Sequence, residues 1–279
     1  VRGDLGIIEG NAKYQLKWMD VALSTPFRPI VANSGVRLYG FLPTLSIDDW
    51  IEWHQTEIGQ FDTKPKTDSN QSEWDVIQFV DLQLQSARVK DQQWSDVDFF
   101  MMQEVDEFLI DIKSSHLSGK ITIPKQASSG KSITADLKHV KFESQESSES
   151  ESTLLPGDFY SLKLMSKLAK YDDYTVENLQ IETRRDNNKL VIQKFDFQQD
   201  KIFLHGKGLW EYEATNQQHI TSLNFELKGS KFGQTMVNLG LGDSIDDGNI
   251  ELNSHFTWSN SLLNFDWDSL TGNANFILK

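Results

Sequence analysis

Ile202-Phe-Leu-His-Gly-Lys-Gly-Leu-Trp-Glu-Tyr212 places Ile202, Leu204, Gly206, Gly208, Trp210 and Tyr212 at every second position, with His205, Lys207 and Glu211 in the opposite register. A strand turns successive side chains to opposite faces, so this stretch has one apolar face and one wet face. The same period returns at Thr221, Leu223, Phe225 and Leu227, and again at Ile250, Leu252, Ser254, Phe256 and Trp258. Leu263, Phe265 and Trp267 continue it, as do Leu270, Gly272, Ala274, Phe276 and Leu278. The spacing predicts a strand at each run. The last pattern is still in progress at Lys279 and the first residue is Val1, so the sequence reads as a piece of a longer protein.

Working outward, strands are expected at Leu5 to Gly10 and Lys13 to Leu23, then, after Pro26 and Pro29, at Val36, Leu38 and Gly40. Further strands follow at Val80, Leu82 and Leu84, at Val97, Phe99 and Met101, at Phe108, Ile110 and Ile112, and at Gly119, Ile121 and Ile123. Ile133, Ala135 and Leu137, then Leu162 and Leu164, Val176 to Thr183 and Lys189 to Phe197 complete the series. Two short helices are expected. Ser46 can cap the first, Asp48 to Ile58, by accepting a free backbone N–H, with Asp48 and Asp49 at its positive end. The second is Lys231 to Leu241, stopped by Gly240 and Gly242. A helical turn is expected near Met165 to Lys170.

Residues 60 to 73 are polar and read as a loop. Glu143-Ser-Gln-Glu-Ser-Ser-Glu-Ser-Glu-Ser-Thr153 has no apolar side chain to bury and reads as an acidic flexible loop separating strands of 1–142 from strands of 154–279.

Composition narrows the function classes. The formal charge is -14 and the pI about 4.8, with no basic stripe, which argues against a nucleic-acid partner and against adsorption to anionic headgroups. Binding acyl tails needs only apolar surface and is untouched by that argument. No run approaches the roughly 18 to 20 apolar residues of a membrane-spanning helix. The absence of cysteine removes disulfides, thiolate zinc sites and thiol nucleophiles. Eight Trp and seventeen Phe are many for a chain of mean hydropathy -0.47, and suit strands with a broad buried face.

No catalytic constellation emerges. The six histidines, at 54, 116, 139, 205, 219 and 255, share no metal-ligand spacing. Asp243-Ser-Ile-Asp-Asp-Gly248 mimics a calcium loop but has Ile245 where an oxygen ligand belongs and no bidentate Glu at the right distance. Forty-one acids make chance carboxylate pairs unavoidable, so a glycosidic or sugar-binding domain using Trp258 or Trp267 stays an alternative carried by composition alone. Alternation by itself favours an ordinary sandwich core.

Several ordered elements resemble one family. Gly35-Val-Arg-Leu-Tyr-Gly-Phe-Leu-Pro-Thr-Leu-Ser-Ile-Asp-Asp-Trp50 is similar to an element of the AsmA-like proteins of Gram-negative bacteria, YhdP type. Phe108 to Pro124, with Ser114, His116-Leu-Ser-Gly119 and Ile121-Thr-Ile-Pro124, resembles a strand pair of the same proteins. Leu155-Pro156, Leu204-x-Gly206-x-Gly208-x-Trp210, Leu239-Gly240, Gly248, Phe256-x-Trp258 and Leu270-x-Gly272 follow that family's order nearly to the end. Ser259-Asn-Ser261 departs from the family's Trp-Pro-Gly-like turn, and the acidic stretch is an insertion.

The resemblance implies a mainly β fold: one elongated groove over residues 1–279, made by a long, twisted antiparallel sheet curled lengthwise and open on one side. It implies phospholipid transport between inner and outer membranes, without catalysis, metal or cofactor. The partners would be acyl chains and, through other parts of a parent anchored in the inner membrane, the two membranes, with this piece in the periplasm. The groove candidates are Leu82, Leu84, Phe99, Ile110, Ile121, Leu204, Trp210, Leu223, Phe225, Leu252, Phe256, Trp258, Phe265 and Phe276. Beside this stand the sugar-binding domain and a structural scaffold with a closed core.

Overall fold

In the computed structural model the described residues are 2–10, 13–26, 35–47, 49, 77–89, 92–125, 131–142, 154–172, 174–230, 233 and 248–279, those up to residue 17 by backbone alone. About 75% of them are strand. Two compact units divide the chain at Lys125 and Gln126.

The first unit holds β1 (Arg2–Gly10), β2 (Lys13–Leu23), β3 (Gly35–Ser46), β4 (Ile77–Val89), β5 (Gln92–Gln103), β6 (Glu107–Lys113) and β7 (Leu117–Pro124), each beside its sequence neighbour. The second holds β8 (Ile133–Phe142), β9 (Leu162–Tyr171), β10 (Tyr174–Asp186), β11 (Lys189–Gln199), β12 (Ile202–Glu213), β13 (Gln218–Gly229), β14 (Ile250–Trp258) and β15 (Thr271–Leu278), again in sequence order. Short hairpins explain that order, since the strand nearest in sequence closes the smallest loop. Within each unit the sheet is open.

The sheets are mixed rather than purely antiparallel. β2 and β3, β3 and β4, and β8 and β9 run parallel. A parallel neighbour requires the chain to cross back over the sheet, which takes a long connection. The connections at these three places, 24–34, 47–76 and 143–161, are long enough to allow it, although the longer-than-minimal connections 230–249 and 259–270 join antiparallel strands. The acidic stretch 143–153 and the polar loop 60–73 belong in chain order to the connections at the parallel steps, and both lie outside the described residues.

At the β2–β3 step Asp20 lies directly opposite Arg37, whose Nε and Nη2 donate to the two carboxylate oxygens at 2.8 and 3.0 Å. Asp20 is 1% exposed. A slip of one residue would leave that buried carboxylate without its cation, so the pair pins the parallel register.

The expected cap on the first helix is present: the Asp49 amide donates to Ser46 Oγ at 3.3 Å, and Ile47 and Asp49 are helical. Arg88 reaches across from β4 to Ser46 Oγ at 3.1 Å and to the Asp49 carboxylate at 3.0 Å. The rest of the expected 48–58 helix lies outside the described residues, as does the 231–241 helix apart from Gly233, which is helical.

Two expectations are corrected. The helical turn at Met165 to Lys170 is strand throughout, inside β9. Pairing with β8 on one side and β10 on the other satisfies its backbone, and that outweighs the local helix preference of Met, Lys, Leu and Ala. Leu263, Phe265 and Trp267 form no strand but part of a turn spanning 259–270. There the polar neighbours take over the backbone. Asn264 N–H donates to Ser261 O and Oγ at 3.2 Å, Asp268 N–H to Asp266 Oδ1 at 3.0 Å, and Ser259 N–H to Ser269 Oγ at 2.9 Å. The Ser269 hydroxyl also donates to Asp266 Oδ2, and with the Asp268 amide holds the Asp266 carboxyl below its usual pKa.

Candidate functional site

The backbone register of the second unit brings side chains far apart in sequence into straight rows. One row reads Ala135, Leu164, Ile181, Phe195, Gly206, Phe225, Ser254, Ala274, one residue from each of eight strands. Beside it runs Ile133, Leu162, Thr183, Ile192, Gly208, Leu223, Phe256, Gly272. On the other side Phe197, Leu204, Leu227, Leu252 and Phe276 form a third over β11 to β15. All three belong to one face of the sheet, because the period of two keeps them together. Seven inter-strand steps of 4.7–4.9 Å make the longer rows about 34 Å.

Glycines lower the floor of these rows. A Cβ on Gly208 would run into the Ser222 carbonyl and the Leu223 side chain, and one on Gly206 would press on the Phe225 ring at 3.1 Å. Phe195 and Phe225 stand on either side of Gly206, and Ile192 and Leu223 on either side of Gly208. Phe225 and Leu223 of β13 therefore lie down over the glycines of β12, a packing that a side chain at 206 or 208 would lift.

Among the described residues of this unit no second sheet packs on these rows. Leu204, Leu223, Phe225, Leu252 and Phe256 are half-buried, and Phe276 is 67% exposed. One end of the face is sealed. There Leu190, Trp210, Thr221 and Trp258 stand in a row. The 154–161 segment brings Phe159 edge-on to Trp210 at 5.3 Å, and the 259–270 turn brings Phe265 against Trp258 at 5.0 Å. Both indoles are satisfied, Trp210 Nε1 donating to His219 Nδ1 at 3.1 Å and Trp258 Nε1 to the Ser261 carbonyl at 3.1 Å.

Burial lowers the His219 pKa, and accepting from Trp210 requires an unprotonated Nδ1. The unfolded chain then takes up the proton first as pH drops below 6.5, so this contribution to stability is complete above that value and declines beneath it. Thermal melts of the protein between pH 7.5 and 5.5 are expected to fall, and His219→Asn to flatten that fall. Parallel slopes for the two proteins would remove His219 as the cause.

The opposite face is mainly charged, with Met165, Phe203 and Ile277 exposed among its ion pairs. His205 Nδ1 meets Asp196 at 2.6 Å, Lys163 meets Glu182 at 2.8 Å and Lys189 meets Glu211 at 2.7 Å. Lys228 bonds Glu226, lowering the pKa of the acid and raising that of the amine. Such exposed pairs contribute little stability each, but they keep that face in water. A shallow cleft of about 330 Å³ on this side is lined by Gln180, Asp196, Phe203, His205, Glu226 and Lys228, several of which are partners of one another.

In the first unit Val21, Leu38, Val80, Met101, Ile110 and Ile121 form one row, and Leu23, Gly40, Leu82, Phe99, Ile112 and Gly119 the next. Here β4 carries a packed cluster: Val80, Leu82, Leu84 and Ala87 are buried with Val97 and Ile112. Phe99, Ile110 and Ile121 are half-buried.

The structure thus brings Leu82, Leu84, Phe99, Ile110 and Ile121 to one face of the first unit. It brings Leu204, Trp210, Leu223, Phe225, Leu252, Phe256, Trp258 and Phe276 to one face of the second. Phe265 alone stands off the sheet, in the turn. Phe195, Phe197 and Ile181 share the second face without having been picked out. Their alternation was visible, but the register shifts between Ile192 and Phe195, so Leu190 and Ile192 share a face with residues of opposite parity.

No group of three or more His, Asp or Glu among the described residues is placed to hold a metal, and no described helix is long and apolar enough to cross a membrane. A family model described as YhdP protein matches residues 1–279. The chain belongs to the YhdP family. That family falls within the AsmA-like group, transport-related proteins of the Gram-negative cell envelope. No individual curated protein and no solved structure matches the chain.

Proposed function

We propose that the apolar rows carry phospholipid acyl chains across the periplasm between inner and outer membranes, as part of a larger protein anchored in the inner membrane, without catalysis. The observation that carries this reading is an apolar face with no second layer among the described residues of its unit, half-buried over its middle rows and backed by a mainly charged face. A structural scaffold would seal such a face, because leaving it wet forgoes about 25 cal/mol for every Å² of apolar surface. An acyl chain laid along the rows gains about 0.8 kcal/mol per CH2 removed from water. At about 34 Å the rows exceed the roughly 15 Å that one leaflet of a bilayer core offers a chain.

The sugar-binding alternative required exposed Trp in a cleft with free acids. Trp258 is buried, and Asp266, beside the exposed Trp267, is engaged by Ser269. The test is native mass spectrometry with lipid extraction on the 279-residue chain, purified without detergent and also after incubation with phosphatidylethanolamine vesicles. Bound phospholipid at defined stoichiometry is expected. A lipid-free mass after both treatments would sink the transport reading.

A further inference from the structure

Among the described residues, four buried hydroxyls lie on the apolar face of the second unit, and three are accounted for. Ser166 Oγ donates to the Leu168 carbonyl at 2.8 Å, Thr183 Oγ1 accepts from the Leu162 amide at 3.2 Å, and Thr221 Oγ1 donates to the Asn260 carbonyl at 2.8 Å. The fourth, Ser254, is 7% exposed and its Oγ has no hydrogen-bond partner. It sits in the central row, with Phe225 and Ala274 opposite it on the two neighbouring strands and Leu252 and Phe256 two residues away on its own.

Packing alone does not call for a hydroxyl there. The same row contains Gly206 and Ala274, which provide a small side chain with no polar atom to satisfy. An unpaired buried hydroxyl is a net cost to the folded state. Such a cost persists in a native protein when a ligand completes the bond.

We propose that the Ser254 hydroxyl donates a hydrogen bond to an acyl-ester carbonyl of a bound lipid, fixing where along the rows the chain begins. This rests on the lipid reading above. The carbonyl is the polar group nearest an acyl chain, it only accepts, and it is uncharged. A phosphate or carboxylate brought to the same apolar floor would have to shed its hydration at a far greater cost. Phe225 and Phe256 are half-buried, so an arriving chain can turn their rings aside and open the hydroxyl.

The test is competition by native mass spectrometry between dioleoyl phosphatidylethanolamine and its diether analogue, which has the same chains and headgroup but no ester carbonyl. The unaltered protein is expected to favour the ester about fivefold, the worth of one hydrogen bond of about 1 kcal/mol. Ser254→Ala should lose that preference while its lipid-free form melts no lower, since it removes an unsatisfied group. Ser254→Thr should keep the preference. Equal uptake of both lipids by the unaltered protein, or a preference surviving in Ser254→Ala, overturns the role of Ser254 and leaves the lipid reading standing. No uptake of either lipid overturns both.

Discussion

Trp210→Ala is expected to destabilise the second unit by about 3–5 kcal/mol, the range for truncating a fully buried large aromatic. Trp210 is 0% exposed, between Leu190 and Thr221 in its row. The change opens a cavity under Phe159 and leaves His219 Nδ1 without its donor. It also loosens the lid that closes this end of the apolar face. Trp267→Ala is the comparison: that ring is 78% exposed, so its loss should alter stability by no more than about 0.5 kcal/mol. Urea unfolding followed by circular dichroism measures both. A loss below about 1 kcal/mol for Trp210→Ala would show that the sealed end does not hold the unit together.

The two tryptophans also show what alternation reveals and what it hides. Both stand in runs of period two with aromatic neighbours, and sequence offers nothing to separate them. Trp210 is in a strand where the glycines at 206 and 208 admit the Phe225 and Leu223 side chains of β13 over them. Trp267 is in a turn because Asp266, Ser269 and Ser261 capture the local amides before a ladder can form. Competition between side-chain and ladder hydrogen bonds is decided by geometry that a hydropathy pattern does not contain. Strand positions elsewhere were legible more than their ends: β2 begins and ends at the residues expected, while β1 starts at Arg2 rather than Leu5 and β10 spans Tyr174–Asp186 rather than Val176 to Thr183.

Pairing direction was less accessible. The long polar and acidic connections were evident, yet their consequence, a crossover that makes β3, β4 and β9 each parallel to the preceding strand, follows only once the neighbours are known. The shared face was legible only in part, because the period of two groups Leu204, Leu223, Phe225 and Leu252 but breaks at the β11 register shift and extends wrongly to Phe265, and the division into sealed and open positions was not legible. Leu82 and Leu84 are as apolar in sequence as Leu204 and Leu252, but the first pair is buried in the β4 cluster and the second is half-open. Burial depends on what lies across the face, and no residue carries that information by itself.

That division determines where a charge should act. Phe225→Asp is expected to reduce phospholipid binding at least about a hundredfold, because a carboxylate in the acyl path must be desolvated, at several kcal/mol, whenever a chain lies over it. Phe225 sits in the central row above Gly206, half-buried, so its own carboxylate can stay hydrated in the lipid-free protein and the fold should survive. Phe256→Asp, in the adjoining row, should behave alike. Lys207→Asp reverses a charge on the opposite face of β12, within two residues of the same rows, and should leave lipid uptake unchanged. Lipid uptake by native mass spectrometry, with circular dichroism confirming strand content, separates the cases. If the Phe and Lys variants lose lipid equally, the effect follows net charge rather than the rows, and an acyl path along this face is wrong. If only the Phe variants fail, the chain lies where Gly206 and Gly208 lower the floor, and the polar face serves to keep it in water.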